Sequence, residues 1–253
     1  MNDDINLLIY NFKKIAKKGY IKSTSKSFGS VGITFEKELN KKADSLYFPD
    51  YYGIEIKCTS RFSRYPLFLF TVAFDGPNFP EIERIVSKYG WPDKDYPDKN
   101  VLFTKLHCKE KTIVNNKYKF RLGFGKSIDK MFLYVFDLKN KLIEKESFVY
   151  LQSLYNHLCL KLQKLALIHA STKKINDSKY FRYYSIDIYE LISFEKFIEL
   201  LKKDELEISL ISRISKSGED AGRYRNKNLV FSIKKDKIDK LFNKLYSYNM
   251  ASK

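Results

Sequence analysis

The stretch Pro49-Asp50-Tyr51-Tyr52-Gly53-Ile54-Glu55-Ile56-Lys57 constrains this chain more than any other. Gly53 breaks the backbone just ahead of Ile54-Glu55-Ile56-Lys57-Cys58-Thr59, where apolar and polar residues alternate with period two. That alternation predicts a half-buried strand. Ile54, Ile56 and Cys58 then face a core, and Glu55, Lys57 and Thr59 share the other face. Two strand residues at about 3.3 Å each put Glu55 and Lys57 about 7 Å apart. Asp50, on the turn entering the strand, can fold back towards Glu55.

Two carboxylates and an ammonium on one surface are what metal-assisted phosphodiester hydrolysis requires. Hard oxygen ligands hold Mg²⁺ while it keeps several waters. The ion lowers the pKa of bound water and stabilises charge developing on phosphate. A lysine nearby orients the water or stabilises the transition state. Asp50 and Glu55 are therefore candidate metal ligands, and Lys57 a candidate catalytic lysine. The bare Asp…Glu-x-Lys pattern equally fits a surface strand whose charges face solvent.

The residues around the motif narrow the choice. Gly29-Ser30-Val31-Gly32-Ile33-Thr34-Phe35-Glu36 precedes it. The order glycine loop, Thr-Phe-Glu helix, Pro49-Asp50 and Gly53-Ile54-Glu55-Ile56-Lys57 resembles the MvaI/BcnI group of type II restriction endonucleases. That group belongs to the PD-(D/E)XK nucleases and is related to MutH-type nicking enzymes. The similarity is strong over residues 29–59 and looser beyond, through Tyr118-Lys119-Phe120, Leu133–Asp137 and Leu151–Ser171. The resemblance implies a restriction-endonuclease-like core and Mg²⁺-dependent hydrolysis of double-stranded DNA at a short specific sequence. It also implies that Asp50, Glu55 and Lys57 are catalytic, with Glu36 supporting from the preceding helix. Two rival readings are a MutH-like repair nickase and a basic DNA-binding protein with an inactive nuclease core. Intact Asp50, Glu55 and Lys57 argue against the second.

The charge balance agrees. The chain of 253 residues carries 47 Lys+Arg against 30 Asp+Glu, a formal charge of +17, and its pI is about 9.5. Such an excess attracts a polyanion, whether DNA, RNA or an anionic membrane. The N-terminus lacks a secretory pattern, and no apolar run approaches the ~20 residues that span a bilayer. Cys58, Cys108 and Cys159 are widely spaced and form no Cys-x-x-Cys, so neither zinc nor a disulfide framework is indicated. A reducing cytoplasm is the expected compartment. His107, His157 and His169 read as structural.

The hydrophobic pattern predicts an α/β protein with a mixed central sheet flanked by helices. Ile5 to Ala16 recur at helical spacing, ending near Gly19. Lys22 to Gly32 is a basic loop leading into the Glu36 helix, which Phe35 and Leu39 fix to the core. Lys22 and Lys26 are its candidate phosphate contacts. Tyr65–Val72 reads as a strand adjacent to the Glu55–Lys57 strand. Glu81–Lys88 reads as a helix. Val101–Cys108, Lys117–Phe124 and Met131–Leu138 read as successive antiparallel strands. Leu151–Leu162 predicts a second amphipathic helix. Leu165–Ala170 and Lys179–Tyr189 read as strands joined by a hairpin at Asn176-Asp177. A helix capped by Ser193, strands Leu206–Ile214 and Leu229–Ile233, and a last helix over Ile238–Leu245 complete the chain. The resemblance implies a catalytic lobe over residues 1–145, a recognition lobe over 146–253, and DNA in the cleft between. It further implies a monomer with one active centre and a cognate DNA methyltransferase as genetic partner.

Ser215–Asn228 is the most polar loop of the second half. Lys216, Arg223, Arg225, Asn226 and Lys227 are candidate DNA contacts, since Arg or Lys reads guanine and Asn reads adenine in the major groove. The resembled family often carries His-x-His-Gly at this place. Arg225-Asn226-Lys227-Asn228 stands there here, which implies altered base reading.

Overall fold

The computed structural model describes residues 3–25, 27, 29–40, 49–125 and 129–250. The chain opens with helix α1 (Asp3–Lys17), strand β1 (Ile21–Lys22), helix α2 (Ser30–Glu38) and strands β2 (Glu55–Ser60) and β3 (Leu67–Val72). Helix α3 (Glu81–Tyr89) leads to strands β4 (Trp91–Pro92), β5 (Asn100–Leu106), β6 (Thr112–Val114) and β7 (Tyr118–Phe124). Strands β8 (Lys130–Asp137), β9 (Leu142–Glu144) and β10 (Phe148–Tyr150) follow, then helix α4 (Leu151–Tyr155). The last third holds β11 (Lys164–Ile175), β12 (Ser178–Leu191), helix α5 (Phe194–Lys202), β13 (Glu207–Ile214), β14 (Tyr224–Ile233) and β15 (Phe242–Asn249). No helix among the described residues is long and apolar enough to cross a membrane.

Two compact units result, and both are discontinuous, so no single boundary near residue 145 separates them. One takes Met1–Tyr65, Cys159–Ile192 and Ile238–Lys253; the other takes Pro66–Leu158 and Ser193–Lys237.

The first unit is built on a mixed sheet in the order β1-β12-β11-β2, with β15 also on β12. β2 and β11 run parallel, and the remaining pairs are antiparallel. The apolar stripe of α1 (Ile5, Leu8, Ile9, Phe12, Ile15, Ala16) packs on Ile54, Ile56, Ala166, Ile168, Tyr183 and Ile186. Phe35 of α2 enters the same core, 5.0 Å from the Tyr183 ring and 6.3 Å from Phe12. A fully buried ring of this kind contributes about 1.5–3 kcal/mol. Asn176 and Asp177 adopt φ of 43° and 60° at the β11–β12 turn, the conformation a two-residue hairpin demands.

The expected C-terminal helix is absent. A short 3₁₀ turn, Lys235–Lys240, carries Ile238, and the chain then becomes strand β15 against β12. Tyr246 and Tyr248 alternate onto the core there, while Leu245 is exposed. Period two wins over the helical spacing of Ile238, Leu241, Phe242 and Leu245.

The second unit holds two antiparallel sheets, β3-β14-β13-β5-β4 and β10-β8-β7-β6 with β9 on β8. Two expectations are corrected here. β3 pairs with β14 rather than joining β2, and β5 pairs with β13 rather than extending the β7–β8 hairpin. The expected helix over Leu151–Leu162 is present, but it is not regular: α4 widens into a π-helical turn at Asn156–Leu160 before one last helical step at 161–162. Ser193 caps α5 as expected, its Oγ accepting from the Lys196 N–H at 3.1 Å. Phe70, Phe197 and Phe231 form an aromatic core, with Phe70 and Phe231 stacked at 4.9 Å.

A buried ion network ties α3 to β9. Arg84 donates to Glu81 Oε1 at 2.6 Å and to Glu144 Oε1 at 2.8 Å, and the Ser147 hydroxyl donates to Glu81 at 2.6 Å. Burial pushes both carboxyls up, but hydrogen bonds, first from Arg84, outweigh it. Glu81 is held below its ordinary value and Glu144 at about 2. A carboxylate depressed in the folded state contributes its full stabilisation above its unfolded value of about 4.3, and that contribution disappears as pH falls through the folded value. The melting temperature should therefore fall between about pH 4.5 and 2. Glu144→Gln should lower it at pH 7, with the gap to wild type closing as pH drops through that window. A thermal-melt series across pH checks this; a gap that stays constant contradicts it.

Candidate active site

A tight turn builds the site. Tyr51 and Ile54 exchange both backbone hydrogen bonds, N to O, at 2.9 and 2.8 Å. Tyr52 and Gly53 between them take φ of 43° and 79°, as a type I′ turn requires. Gly53 adopts that conformation without steric cost. The Tyr51 hydroxyl accepts from Asn11 Nδ2 of α1 at 2.9 Å, which fixes the turn to the core. The reversal carries Asp50 back alongside β2, where its Oδ2 accepts from the Ile56 N–H at 3.0 Å. β2 ends the sheet. Asp50 thus satisfies an edge-strand donor that no neighbouring strand among the described residues takes.

On its other side β2 pairs in parallel with β11, Glu55 beside Leu165, Lys57 beside Leu167 and Thr59 beside His169. The expected face split holds for Ile54 and Ile56, which are buried. Glu55 is buried as well, at 2% exposure. Its Oε1 accepts from Lys57 Nζ at 2.7 Å and lies 3.7 Å from Lys161 Nζ. Its Oε2 is buried without a hydrogen-bond partner among the described residues. Burial raises the Glu55 pKa, Lys57 opposes this, and the Asp50 charge raises it further.

An orphaned, buried carboxylate oxygen beside a second carboxylate fits a hard divalent cation. No group of three or more His, Cys, Asp or Glu converges among the described residues. Two protein carboxylates, with water and phosphate completing the shell, are nevertheless a usual donor set for Mg²⁺. Glu36 lies on α2, half-buried. Its charge reaches the same neighbourhood, because the half-buried Cys58 thiol of β2 is pushed well up, by desolvation first, then by Glu36 and Asp50.

The expected DNA contacts fall into three groups. Lys22 pairs through its backbone with Tyr180 at the start of the basic loop; Lys26 lies outside the described residues. Lys216 is already engaged: it bridges Asp93 and Asp95, and Lys99 Nζ donates to Gly222 O at 2.7 Å. These contacts hold the β13–β14 turn against residues 93–99. Arg223 pairs with Asp220 at 3.0 Å and is largely exposed. The expected loop Ser215–Asn228 is shorter than its polarity indicated, since β14 begins at Tyr224. Arg225, Asn226 and Lys227 therefore sit on a strand; the side chains of Asn226 and Lys227 lie outside the described set. Arg225 is exposed and stands directly opposite Arg213 of β13, whose guanidinium lies 4.4 Å over the Phe103 ring.

Lys161 and Arg213 were not singled out from the sequence. Arg213 had one usable signal, since it is a polar position in an alternating strand. Lys161 had none, because its partner Glu55 is distant in sequence and meets it only through β2–β11 pairing.

The family model for the MvaI/BcnI restriction endonuclease family matches residues 9–242. Among solved structures, the chain resembles restriction endonuclease MvaI in complex with its cognate DNA substrate, with a TM-score of 0.88 at 24% identity, covering 99% of this chain and 100% of that one. It also resembles MvaI in the absence of DNA, with a TM-score of 0.60 at 24% identity, covering 96% and 97%. A comparison with curated proteins returned no match. The match over nearly the whole chain means that this protein belongs to the MvaI/BcnI restriction endonuclease family and is a type II restriction endonuclease, a site-specific deoxyribonuclease.

Proposed function

We propose that Asp50, Glu55 and Lys57 form the hydrolytic centre of this nuclease and that its cofactor is Mg²⁺ held by Asp50 and Glu55. The observation that carries this is the buried, unpartnered Glu55 Oε2 beside Asp50, with Lys57 on the opposite oxygen. When bound, the ion supplies positive charge that acidifies water and stabilises the phosphate in the transition state. The remaining work belongs to the chain. The turn at Tyr52-Gly53 fixes Asp50 against the strand edge. Lys57 holds Glu55 in one orientation and presents an ammonium to the attacking water or to charge growing on phosphate. Glu36 adds negative charge from α2, and Phe35 holds that helix in place.

The substrate is double-stranded DNA, attracted by the +17 charge and positioned by phosphate contacts from the Lys22–Lys26 loop. The unit containing β2 cuts, and the β13–β14 hairpin of the other unit reads the target. One such centre per chain suits a monomer that cuts one strand at a time. The three cysteines are free, which suits a reducing cytoplasm. A methyltransferase protecting the same site would be the genetic partner.

Digestion of a long unmethylated DNA with Mg²⁺ or with a chelator, followed by sequencing of the ends, tests this reading. Ends should converge on one short sequence and vanish with chelator. Nicks without double-strand ends would identify a nickase, and DNA binding without cleavage an inactive core.

The target reader is separately testable. Arg225→Ala should lose about 1–3 kcal/mol of discrimination between cognate and random duplexes, as a base reader does. Lys22→Ala should weaken both duplexes alike and flatten the salt slope by about one unit. Binding across a salt series measures both. Equal loss on cognate and random DNA for Arg225→Ala would remove its recognition role.

A further inference from the structure

No role attaches to Lys161 from the sequence, yet its ammonium is 3.7 Å from Glu55 Oε1. Two lysines thus share one oxygen of a buried carboxylate, on unequal terms. Lys57 makes a 2.7 Å hydrogen bond and is 17% exposed. Lys161 stands beyond hydrogen-bond distance and is 28% exposed. Lys57 alone satisfies Oε1, so a lysine needed only to neutralise Glu55 would have no reason to remain at the longer, wetter distance.

The backbone places Lys161 deliberately. α4 widens into the π turn Asn156–Leu160 immediately before it. Such turns are rare, and they recur at functional sites. Immediately beyond, β11 locks beside β2 with Leu165 opposite Glu55. The tether from Lys161 to that fixed position is short, so the ammonium is confined to the end of β2 where Asp50 and Glu55 lie.

Charge then indicates what Lys161 does. Asp50, Glu55, Lys57 and Lys161 carry two charges of each sign. A cation taken up by the two carboxylates leaves that group in positive excess. The more loosely held ammonium is the one such an excess repels from Glu55, and the only anion entering the site is the DNA phosphate. We propose that Lys161 is a second catalytic lysine, which donates a hydrogen bond to a non-bridging oxygen of the scissile phosphate while Lys57 stays on Glu55. It transfers no proton and forms no bond to phosphorus; it stabilises charge on the phosphoryl group as water adds and the leaving oxygen departs. The proposal rests on the Asp50–Glu55–Lys57 assignment.

Lys161→Met keeps the apolar stem, and Lys161→Arg keeps the charge. On the target found by end sequencing, Lys161→Met should slow single-turnover cleavage on the order of 10²-fold. Its affinity for the uncleaved duplex in Ca²⁺ should fall less than about fivefold, with a salt slope shallower by about one. Lys161→Arg should recover a substantial part of the rate. Sulfur in place of the contacted non-bridging oxygen should slow wild type more than Lys161→Met, since the variant has already lost the contact. Cleavage by Lys161→Met within about twofold of wild type overturns the proposal. So does a slow variant with an unchanged sulfur effect, which would mean Lys161 acts only through Glu55. Glu55→Ala and Lys57→Ala measured alongside separate the levels: if they cleave normally the centre is misplaced, and if they fail while Lys161→Met does not, only Lys161 is misassigned.

Discussion

Asp50→Ala and Glu55→Ala are each expected to reduce cleavage by about 10³-fold or more, while leaving specific DNA binding largely in place. Both carboxylates lie at one end of β2. Asp50 is held by the Ile56 N–H at 3.0 Å, and Glu55 is held by Lys57 with one oxygen left over. Removing either leaves a single carboxylate for a hard cation, too few to fix its position on the phosphate. Affinity for DNA comes mainly from the basic surface and its released counterions, which neither substitution touches. Glu55→Ala also strands Lys57 and Lys161 without their carboxylate, so Glu55→Gln is the milder companion. Single-turnover cleavage measures the loss, and gel shifts in Ca²⁺ measure the binding. Full-rate cleavage by either alanine variant would refute the assignment.

Lys57→Ala is expected to lose about 10²–10³ in rate, and added Mg²⁺ should not restore it. The lysine holds no metal in this account. It orients Glu55 through the 2.7 Å bond and supplies charge to the water or the transition state. Its loss also leaves buried Glu55 with only the more distant Lys161, and burial then drives the carboxyl further towards its neutral form. That second effect predicts that part of the loss recovers at higher pH. A Mg²⁺ titration at two pH values separates the contributions. Recovery of wild-type rate by Mg²⁺ alone would mean that Lys57 merely assists metal binding.

The strand proposed to carry the chemistry was legible in the sequence because its determinants are local. Gly53 marks the turn, Ile54 and Ile56 mark the core face, and the turn geometry returns Asp50 to Glu55. The helix of Glu36 was legible for the same reason, through Phe35. What escaped depends on pairing between distant segments. The partners of β3 and β5 were misplaced because alternation reveals a strand and not its neighbour. The C-terminal helix over Ile238–Leu245 was misread because a 3₁₀ turn followed by a strand mimicked helical spacing. Arg225 was placed on a loop because its neighbours are polar; the strand there is held by backbone bonds to β13, to which side-chain hydropathy is blind. Asp93 and Asp95 claimed Lys216 for the same kind of reason, a contact between loops far apart in sequence.

The claim that Asp50 and Lys57 belong to one hydrolytic centre is tested most directly by a double-variant cycle. Residues that act as a unit lose almost everything with the first substitution, so a second costs little. Single-turnover rates on the cognate site are needed for wild type, Asp50→Ala, Lys57→Ala and the double variant. The double variant should fall within about threefold of the slower single variant. A double variant slowed by the full product of the two single losses would show two independent contributions, and would contradict a single Asp50–Glu55–Lys57 centre.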